Sequence, residues 1–419
     1  MAPPSFDPEK QRRFATETVR RLTEAGFEAY WAGGCVRDML LNRVPKDYDV
    51  ATGATPEQIR GLFGRRRTLA IGAAFGVISV LGPKGAGQIE VATFRTDASY
   101  SDGRHPDSVA YGTAREDASR RDFTVNGLFY DPLAGRVIDF VEGQPDLKAG
   151  ILRAIGRPQE RISEDKLRML RAVRFAATLD FTIEAQTWAM LRRRAHEITI
   201  VSAERIATEM RQMLRDPRRV EAVHLLIESG LAEAILPEIV TPARHDHGGP
   251  FDLENALDVL GRLRDPGFPL ALAALLDRAV DRAGGRAVAR RWRLSNEETE
   301  RLDWLLAHRG ALDGAATTRW SSVQPLLTSP GIGDLLAWEE TLAELAGGES
   351  EDLAYCRRWL ARPRAELDPP PLVTGDDLIA LGIPTGPIYG ELLSRIRNAQ
   401  LDGEIHTKPQ AQALAKDLR

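Results

Sequence analysis

The chain reads as α+β: an α/β head in its N-terminal third, followed by an all-α remainder. Three observations carry this. Short β-rich runs cluster before residue 150, helical apolar spacing dominates after Gly150, and β-branched alternation then nearly disappears. At 419 residues the chain has room for two to four domains.

In order along the chain, "DPEKQRRFATETVRRLTEAG" has the spacing of an amphipathic helix ending at Gly26. The strand-like runs are "FEAYWAG", "DYDVAT", "RTLAI", "GVISVLG" and "QIEVATFR"; "LFYDPLAGRVIDF" reads as a hairpin turning at Ala134-Gly135. After Gly150, "SEDKLRMLRAVRFAATL" and "SAERIATEMRQMLRD" each open on a serine placed as an N-cap. Further helices are expected at 219–229, 253–264, 270–283, 296–307 and 335–346, and "ARPRAELDPPPLVTG" reads as a Pro-rich linker. The expected domains are a catalytic head at 1–150, a helical neck at 151–217, a helical body at 218–365 and a helical tail at 366–419.

Composition excludes several classes. Charged residues make up 28% and hydrophobic residues 43%, as in soluble globular proteins. Cys35 and Cys356 are the two cysteines, which rules out a disulfide scaffold or a thiolate zinc site and suits a reducing cytoplasm. The N-terminus lacks an apolar h-region, so no secretory signal is expected. "FPLALAALL" is too short to span a bilayer, so no membrane partner is expected. Net charge is −4, yet residues 150–219 carry 15 Lys/Arg against 9 Asp/Glu. That local excess suits a polyanion lying across the segment, and equally suits solvated helix faces.

The chemistry concentrates in "AGGCVRDMLLNRVPKDYDVAT", residues 32–52. On a strand, Asp47 and Asp49 project to one face with Cα atoms roughly 7 Å apart. Two like charges so close call for a cation, and hard oxygen ligands suit Mg²⁺ shared with substrate phosphates. Two ions would activate an attacking hydroxyl and stabilise a leaving pyrophosphate. Glu90, on a later strand, is a third carboxylate placed to complete the cage. Gly33 and Gly34 precede a short helical run, where bare backbone lets a phosphate approach, and Arg37 one turn later is placed for a bidentate phosphate contact.

This string resembles motif A of the nucleotidyltransferase superfamily that includes DNA polymerase β, and within it the class II tRNA nucleotidyltransferases (CCA-adding enzymes) and bacterial poly(A) polymerases. The resemblance implies that Asp47 and Asp49 bind metal while Gly33, Gly34 and Arg37 contact a triphosphate. "RRDFTVNGLFYD" is similar to motif B, which implies that Arg121, Asp122 and Asn126 lie near the sugar; a carboxylate there accepts from a 2′-OH. "VIDFVEGQPDLKAGILR" looks like motif C, where Asp139, Gly143 and Asp146 match as hinge residues.

"EDKLR" resembles motif D. Asp165 and Arg168 are expected at i, i+3 on one helix face, acceptor beside donor. Cytosine and adenine each present an amino donor beside a ring-nitrogen acceptor, so both complement this pair. Guanine and uracil present the reverse order, and an unpaired buried polar group costs about 1–3 kcal/mol. Arg171 and Arg174 continue the helix, placed either to meet RNA phosphates or to face solvent. "SAERIATEMRQML" is similar to motif E, with Glu204, Arg205 and Glu209 bracing the neck. "TFRTDASYSDGRHPDSVAYG" resembles the flexible loop of A-adding relatives, carried by Arg95, Asp97, Tyr100, Asp102 and Arg104, with His105 where relatives have arginine.

Further on, "RHDHGGPFDLENALDVLGRL" with "LAALLDRAV" resembles a decayed HD phosphohydrolase module. Asn255 and Leu276-Asp277 replace the ligands such modules need, and His245-Asp246-His247 reads as a surface turn. Residues 331–404 carry 14 acidic and 6 basic side chains, which leaves open whether the tail contacts tRNA. The resemblance implies a template-independent enzyme that adds or repairs the tRNA 3′-terminal CCA from CTP and ATP with two Mg²⁺ ions. An A-adding enzyme working with a separate CC-adding partner, a poly(A) polymerase and a non-catalytic RNA-binding relative are the alternatives. Monomer and homodimer remain open.

Overall fold

A computed structural model describes residues 6–72, 76–97, 109–241, 251–348 and 350–418. Two compact units divide the chain, 1–240 and 241–419.

The first unit opens with helix α1 (Pro8–Glu24), capped by the Asp7 side chain. Strands β1 (Ala29–Ala32), β2 (Asp49–Thr52), β3 (Thr68–Gly72), β4 (Val77–Leu81) and β5 (Gln88–Thr93) follow, with helices α2 (Gly34–Leu40) and α3 (Pro56–Phe63) between them. A small ribbon, β6 (Arg95–Asp97) with β7 (Val109–Tyr111), precedes α4 (Ala114–Ser119). The hairpin β8 (Phe129–Asp131) and β9 (Arg136–Ile138) turns through Gly135 at φ +66°. The main sheet has seven strands in the order β3-β4-β5-β2-β1-β8-β9. β2 and β5 run parallel and the other neighbours antiparallel.

Alternation sorts the sheet into two faces. α1 packs against β1, β2 and β5 through an apolar stripe that includes Phe14, Val19 and Leu22. Across the sheet, Ala32, Ala51, Phe94 and Phe129 pack against Ala114 and Ala118 of α4. Asp49 is two residues before Ala51, so it projects to this second face.

After helix α5 (Gly143–Ala149), short strands β10 (Ile151–Leu152) and β11 (Thr182–Ile183) pair in parallel around α6 (Pro158–Glu164) and α7 (Leu167–Leu179). α8 (Ala185–Arg194), α9 (Ala203–Arg215), α10 (Arg219–Glu228) and α11 (Leu231–Ile235) complete the unit, with α7 packed on α9 and α10. The second unit is helical among its described residues: α12 (Leu253–Arg262), α13 (Phe268–Leu275), α14 (Arg282–Arg291), α15 (Asn296–His308), α16 (Trp320–Leu327), α17 (Ile332–Leu345), α18 (Glu351–Leu360) and four shorter or later helices to Asp417. Among the described residues no helix is long and apolar enough to cross a membrane.

Three expectations need correcting. The helix expected from Ser163 is two helices, broken at Asp165, whose backbone is extended (φ −147°, ψ 108°). The helix expected at 270–283 ends at Leu275; a turn with Arg278 at φ +59° separates it from α14. Ser202 is at the N-cap position of α9 but makes no side-chain cap hydrogen bond. The Pro-rich stretch is anchored on both sides: Leu367 is buried, Gln324 donates to its carbonyl, and Arg397 donates to the Pro369 carbonyl and to Asp368. Helices α3 and α4 had a visible signal, since Thr55 with Gln58 and Thr113 with Glu116 form capping boxes.

Candidate active site

Sheet register brings the glycine turn and the carboxylates together. β1 and β2 are antiparallel with Ala32 opposite Asp49, so the strand that ends in the glycine pair lies beside the strand that starts with Asp49. Gly33 has φ +72°, a conformation that penalises a side chain. A Cβ there would sit 2.7 Å from Arg121 Nη1. The Gly33 N–H donates to the Leu128 carbonyl, which ties the turn to the segment bearing Asn126.

Asp47 lies in irregular chain just before β2, not within the strand, yet the alternation holds. Tyr48, between the two aspartates, packs edge-on to Trp31 on the opposite face. Asp47 and Asp49 both line a cleft of about 730 Å³. Asp49 stays exposed to the cleft, yet desolvation by the surrounding protein, then the neighbouring charges of Asp47 and Glu90, push its pKa up to about 7, against a lowering pull from Arg121. A carboxylate strained in this way by its neighbours is relieved by a cation.

Glu90 pairs in register with Asp49 across parallel strands and adds to the charge on it, but Glu90 does not line the cleft. Among the described residues no three acidic, His or Cys side chains converge closely enough to hold an ion as they stand. Two carboxylates with open positions are what Mg²⁺ shared with phosphates requires. Cys35, beneath Asp49, is buried and its thiol is pushed up to about 12, so it supplies no nucleophile.

A continuous polar network forms another part of the cleft. Arg37 donates to Asn126 Oδ1 at 2.7 Å and to Asp38. Asn126 Nδ2 donates to Asp122 at 3.0 Å, and Arg171 donates twice to the other Asp122 oxygen at 2.8 and 2.6 Å. Burial works to raise the Asp122 pKa, but Arg171, Asn126 and the Phe123 N–H together lower it to about 2. Arg174 donates to buried Glu209 at 2.6 Å, and Arg171 also faces Glu209 at 3.7 Å. Arg171 and Arg174 are therefore tied within the protein rather than solvated, and Arg37 reaches the cleft with its guanidinium already partnered.

Arg121 does not pair with Asp122. It joins Arg120 on Asp117, which is 1% exposed and receives both guanidinium groups. Burial opposes the Asp117 charge, and Arg121 and Arg120 outweigh it to lower its pKa.

Asp165 and Arg168 both line the cleft, although a helix break separates them. Arg168 donates to Glu164 at 2.6 Å and to the carbonyls of Arg161 and Arg120. Of the expected site residues, Gly33, Gly34, Arg37, Asp47, Asp49, Arg121, Asp122, Asn126, Asp165, Arg168, Arg171 and Arg174 line this one cleft; only Glu90 does not. Phe175 and Arg120 also line it, as does Arg95 from the expected loop. The other loop expectations, Tyr100, Asp102, Arg104 and His105, lie outside the described residues, as do the Asp97 side chain and His245-Asp246-His247. Asp139, Gly143 and Asp146 do local work: Asp139 accepts from three backbone N–H groups, a Cβ at Gly143 would meet the Thr124 carbonyl at 2.2 Å, and Asp146 binds Thr124 and Arg153.

A glycine turn and paired carboxylates at the end of such a sheet, facing an arginine-rich wall, define a nucleotidyltransferase head. Residues 29–153 match the family model "Poly A polymerase head domain", and residues 180–241 match "Probable RNA and SrmB- binding site of polymerase A". The chain is 34% identical to the CCA-adding enzyme of Geobacillus kaustophilus over 400 residues, 93% of each chain. It is 41% identical to poly(A) polymerase I of Haemophilus influenzae over 246 residues, 56% of this chain and 53% of that one. The Bacillus stearothermophilus CCA-adding enzyme solved with CTP matches with a TM-score of 0.78 at 28% identity, covering 97% of both chains. The chain belongs to the family of CCA-adding enzymes and bacterial poly(A) polymerases, and is a nucleotidyltransferase.

Proposed function

We propose that this enzyme adds the 3′-terminal CCA to tRNA from CTP and ATP, without a nucleic-acid template and with release of pyrophosphate, in the cytoplasm. The observation that carries this reading is the convergence, in one cleft, of the glycine turn, Asp47 with Asp49, and Asp165 with Arg168. The likeness to CCA-adding enzymes over 93% of the chain, against half of it for the poly(A) polymerase, favours the CCA reading.

Asp47 and Asp49 fit Mg²⁺: oxygen donors, two like charges, and an Asp49 pKa raised by its acidic neighbours. When bound there, magnesium supplies activation of the attacking 3′-hydroxyl and charge neutralisation at the departing pyrophosphate. The residues do the rest. Gly33 and Gly34 leave backbone bare for the triphosphate, and the guanidinium groups of Arg37 and Arg121 face it. Asp122, its acceptor directions taken by Arg171, Asn126 and the Phe123 N–H, orients the Asn126 amide on the sugar side. Asp165 accepts from the amino group of cytosine or adenine while Arg168 donates to the ring nitrogen.

The test is incubation with a tRNA ending before CCA, given CTP, ATP or both. We expect two C residues with CTP alone and completion to CCA with both. Failure to incorporate CTP would assign A-addition only, and long A tails would assign poly(A) synthesis.

A further inference from the structure

Asp165 can read a base only if one of its oxygen lone pairs faces the cleft. The terminal torsion of an aspartate is soft and roughly two-fold, so the carboxylate plane needs an external hold. The local chain holds one oxygen only: the Leu167 N–H donates to Oδ1 at 3.0 Å. The second hold comes from α9, forty residues on. Arg205 Nη1 donates to Oδ1 at 3.1 Å and Nη2 to Oδ2 at 2.6 Å, a fork that fixes a carboxylate plane as no single donor can. Arg205 is not among the residues that line the cleft; it reaches Asp165 from outside that wall.

Lone-pair counting sharpens the point. A carboxylate offers about four acceptor directions. Arg205 takes two and Leu167 one, which leaves an open direction on Oδ2 for a base amino group. The two base-reading residues also differ in how they are held. Arg168 has three separate acceptors, on Glu164, Arg161 and Arg120, so losing one leaves it anchored. Asp165 depends on one side chain for its plane.

We propose that Arg205 is a specificity-determining positioning residue: from α9 it sets the plane of the Asp165 carboxylate and thereby the preference for cytosine and adenine over uracil and guanine. This rests on the roles of Asp165 and Arg168 given above. Removing the fork acts on right and wrong nucleotides in opposite directions. Cytosine and adenine lose an aligned acceptor for their amino group. Uracil and guanine place a carbonyl against that oxygen, and a carboxylate able to swing away relieves the repulsion. The selectivity ratio therefore collapses from both ends, whereas loss of a mere brace slows all four nucleotides together.

The experiment uses the full chain as wild type, Arg205→Gln and Arg205→Lys, with a tRNA ending before CCA and CTP, ATP, UTP or GTP supplied singly. It reads kcat/KM for each nucleotide and a thermal melt for each protein. In Arg205→Gln the CTP-to-UTP and ATP-to-GTP ratios should fall at least about tenfold, the worth of one aligned hydrogen bond. Lysine keeps the charge but not the fork, so Arg205→Lys should lose roughly threefold or more. If Arg205→Gln does not fold, the lysine variant decides the matter alone. Unchanged ratios in a folded variant, with all four rates lowered in parallel or none lowered, would overturn the proposal while leaving the proposed function intact. A wild type that incorporates neither CTP nor ATP would overturn the functional reading, and this inference with it.

Discussion

The two units each enclose a cavity of similar size, about 730 Å³ in the first and about 680 Å³ in the second. Their charges are arranged differently. In the first, Asp47 and Asp49 crowd together without an ion-pair partner among the described residues, while arginines line the walls. In the second, Asn255 and Asp277 line the cavity, and its polar groups close on one another. Asp277 forms an ion pair with Arg309 at 2.5 Å, and the Gly310 N–H donates to Glu339. Burial raises the pKa of both acids, and their neighbours only partly offset it. Size does not distinguish the two cavities; pairing does, because Asp277 holds a guanidinium partner in Arg309 and Asp47 and Asp49 have none among the described residues.

The sharpest way to break this comparison is to remove one of the uncompensated charges. Asp47→Ala should lower nucleotide addition by roughly 10³-fold or more, because the metal chemistry is lost. Urea unfolding should show stability unchanged or slightly raised, since repulsion on Asp49 is relieved. Retained turnover would contradict the metal assignment.

Next in size is Asp122→Ala, which strips Arg171 of its buried partner. Breaking such a pair should cost about 3 kcal/mol, measured by urea unfolding. The pH dependence follows from the lowered pKa of Asp122. A depressed carboxylate stabilises the fold above its unfolded value near 4, and that contribution is lost as pH falls through its folded value of about 2. The wild type should therefore lose stability more steeply than Asp122→Ala between about pH 4 and pH 2. Parallel acid limbs would show that the pair is not the cause.

Gly33→Ala is smaller in effect. The positive φ costs a side chain about 1–2 kcal/mol, and the new methyl would displace the Arg121 guanidinium. We expect kcat/KM for CTP to drop about tenfold, through displaced phosphate contacts. Smallest of all, Asp277→Asn in the second cavity should leave nucleotide addition within about twofold of wild type, since its charge is paired with Arg309 and it shares no partner with the first cleft. A large loss there would mean the second cavity takes part in catalysis.

What could be read in advance followed the range of the contacts. Gly33, Gly34, Asp47 and Asp49 fall within one short string, so strand alternation and glycine geometry suffice to place them. The strand runs and the Gly135 hairpin were legible for the same local reason. The clamp of Arg120 and Arg121 on Asp117 was not, because Asp117 stood in a segment that no motif singled out. The break at Asp165 was hidden by a continuous helical pattern: the residue leaves the helix with its carboxylate held by Arg205 and the Leu167 N–H. Fork contacts forty residues apart leave no mark on periodicity. The helix expected at 270–283 failed likewise, since its apolar run continues past Leu275, where the backbone turns at Arg278 and Asp277 pairs with Arg309.

The most direct test of the central claim is a crystal structure of the protein with Mg²⁺ and a non-hydrolysable CTP analogue. The account predicts metal density bridging Asp47 and Asp49 to the phosphates, with the cytosine N4 amino group on Asp165 and N3 facing Arg168, each within hydrogen-bonding distance. A nucleotide whose phosphates lie away from both aspartates, or whose base turns away from Asp165 and Arg168, would contradict it.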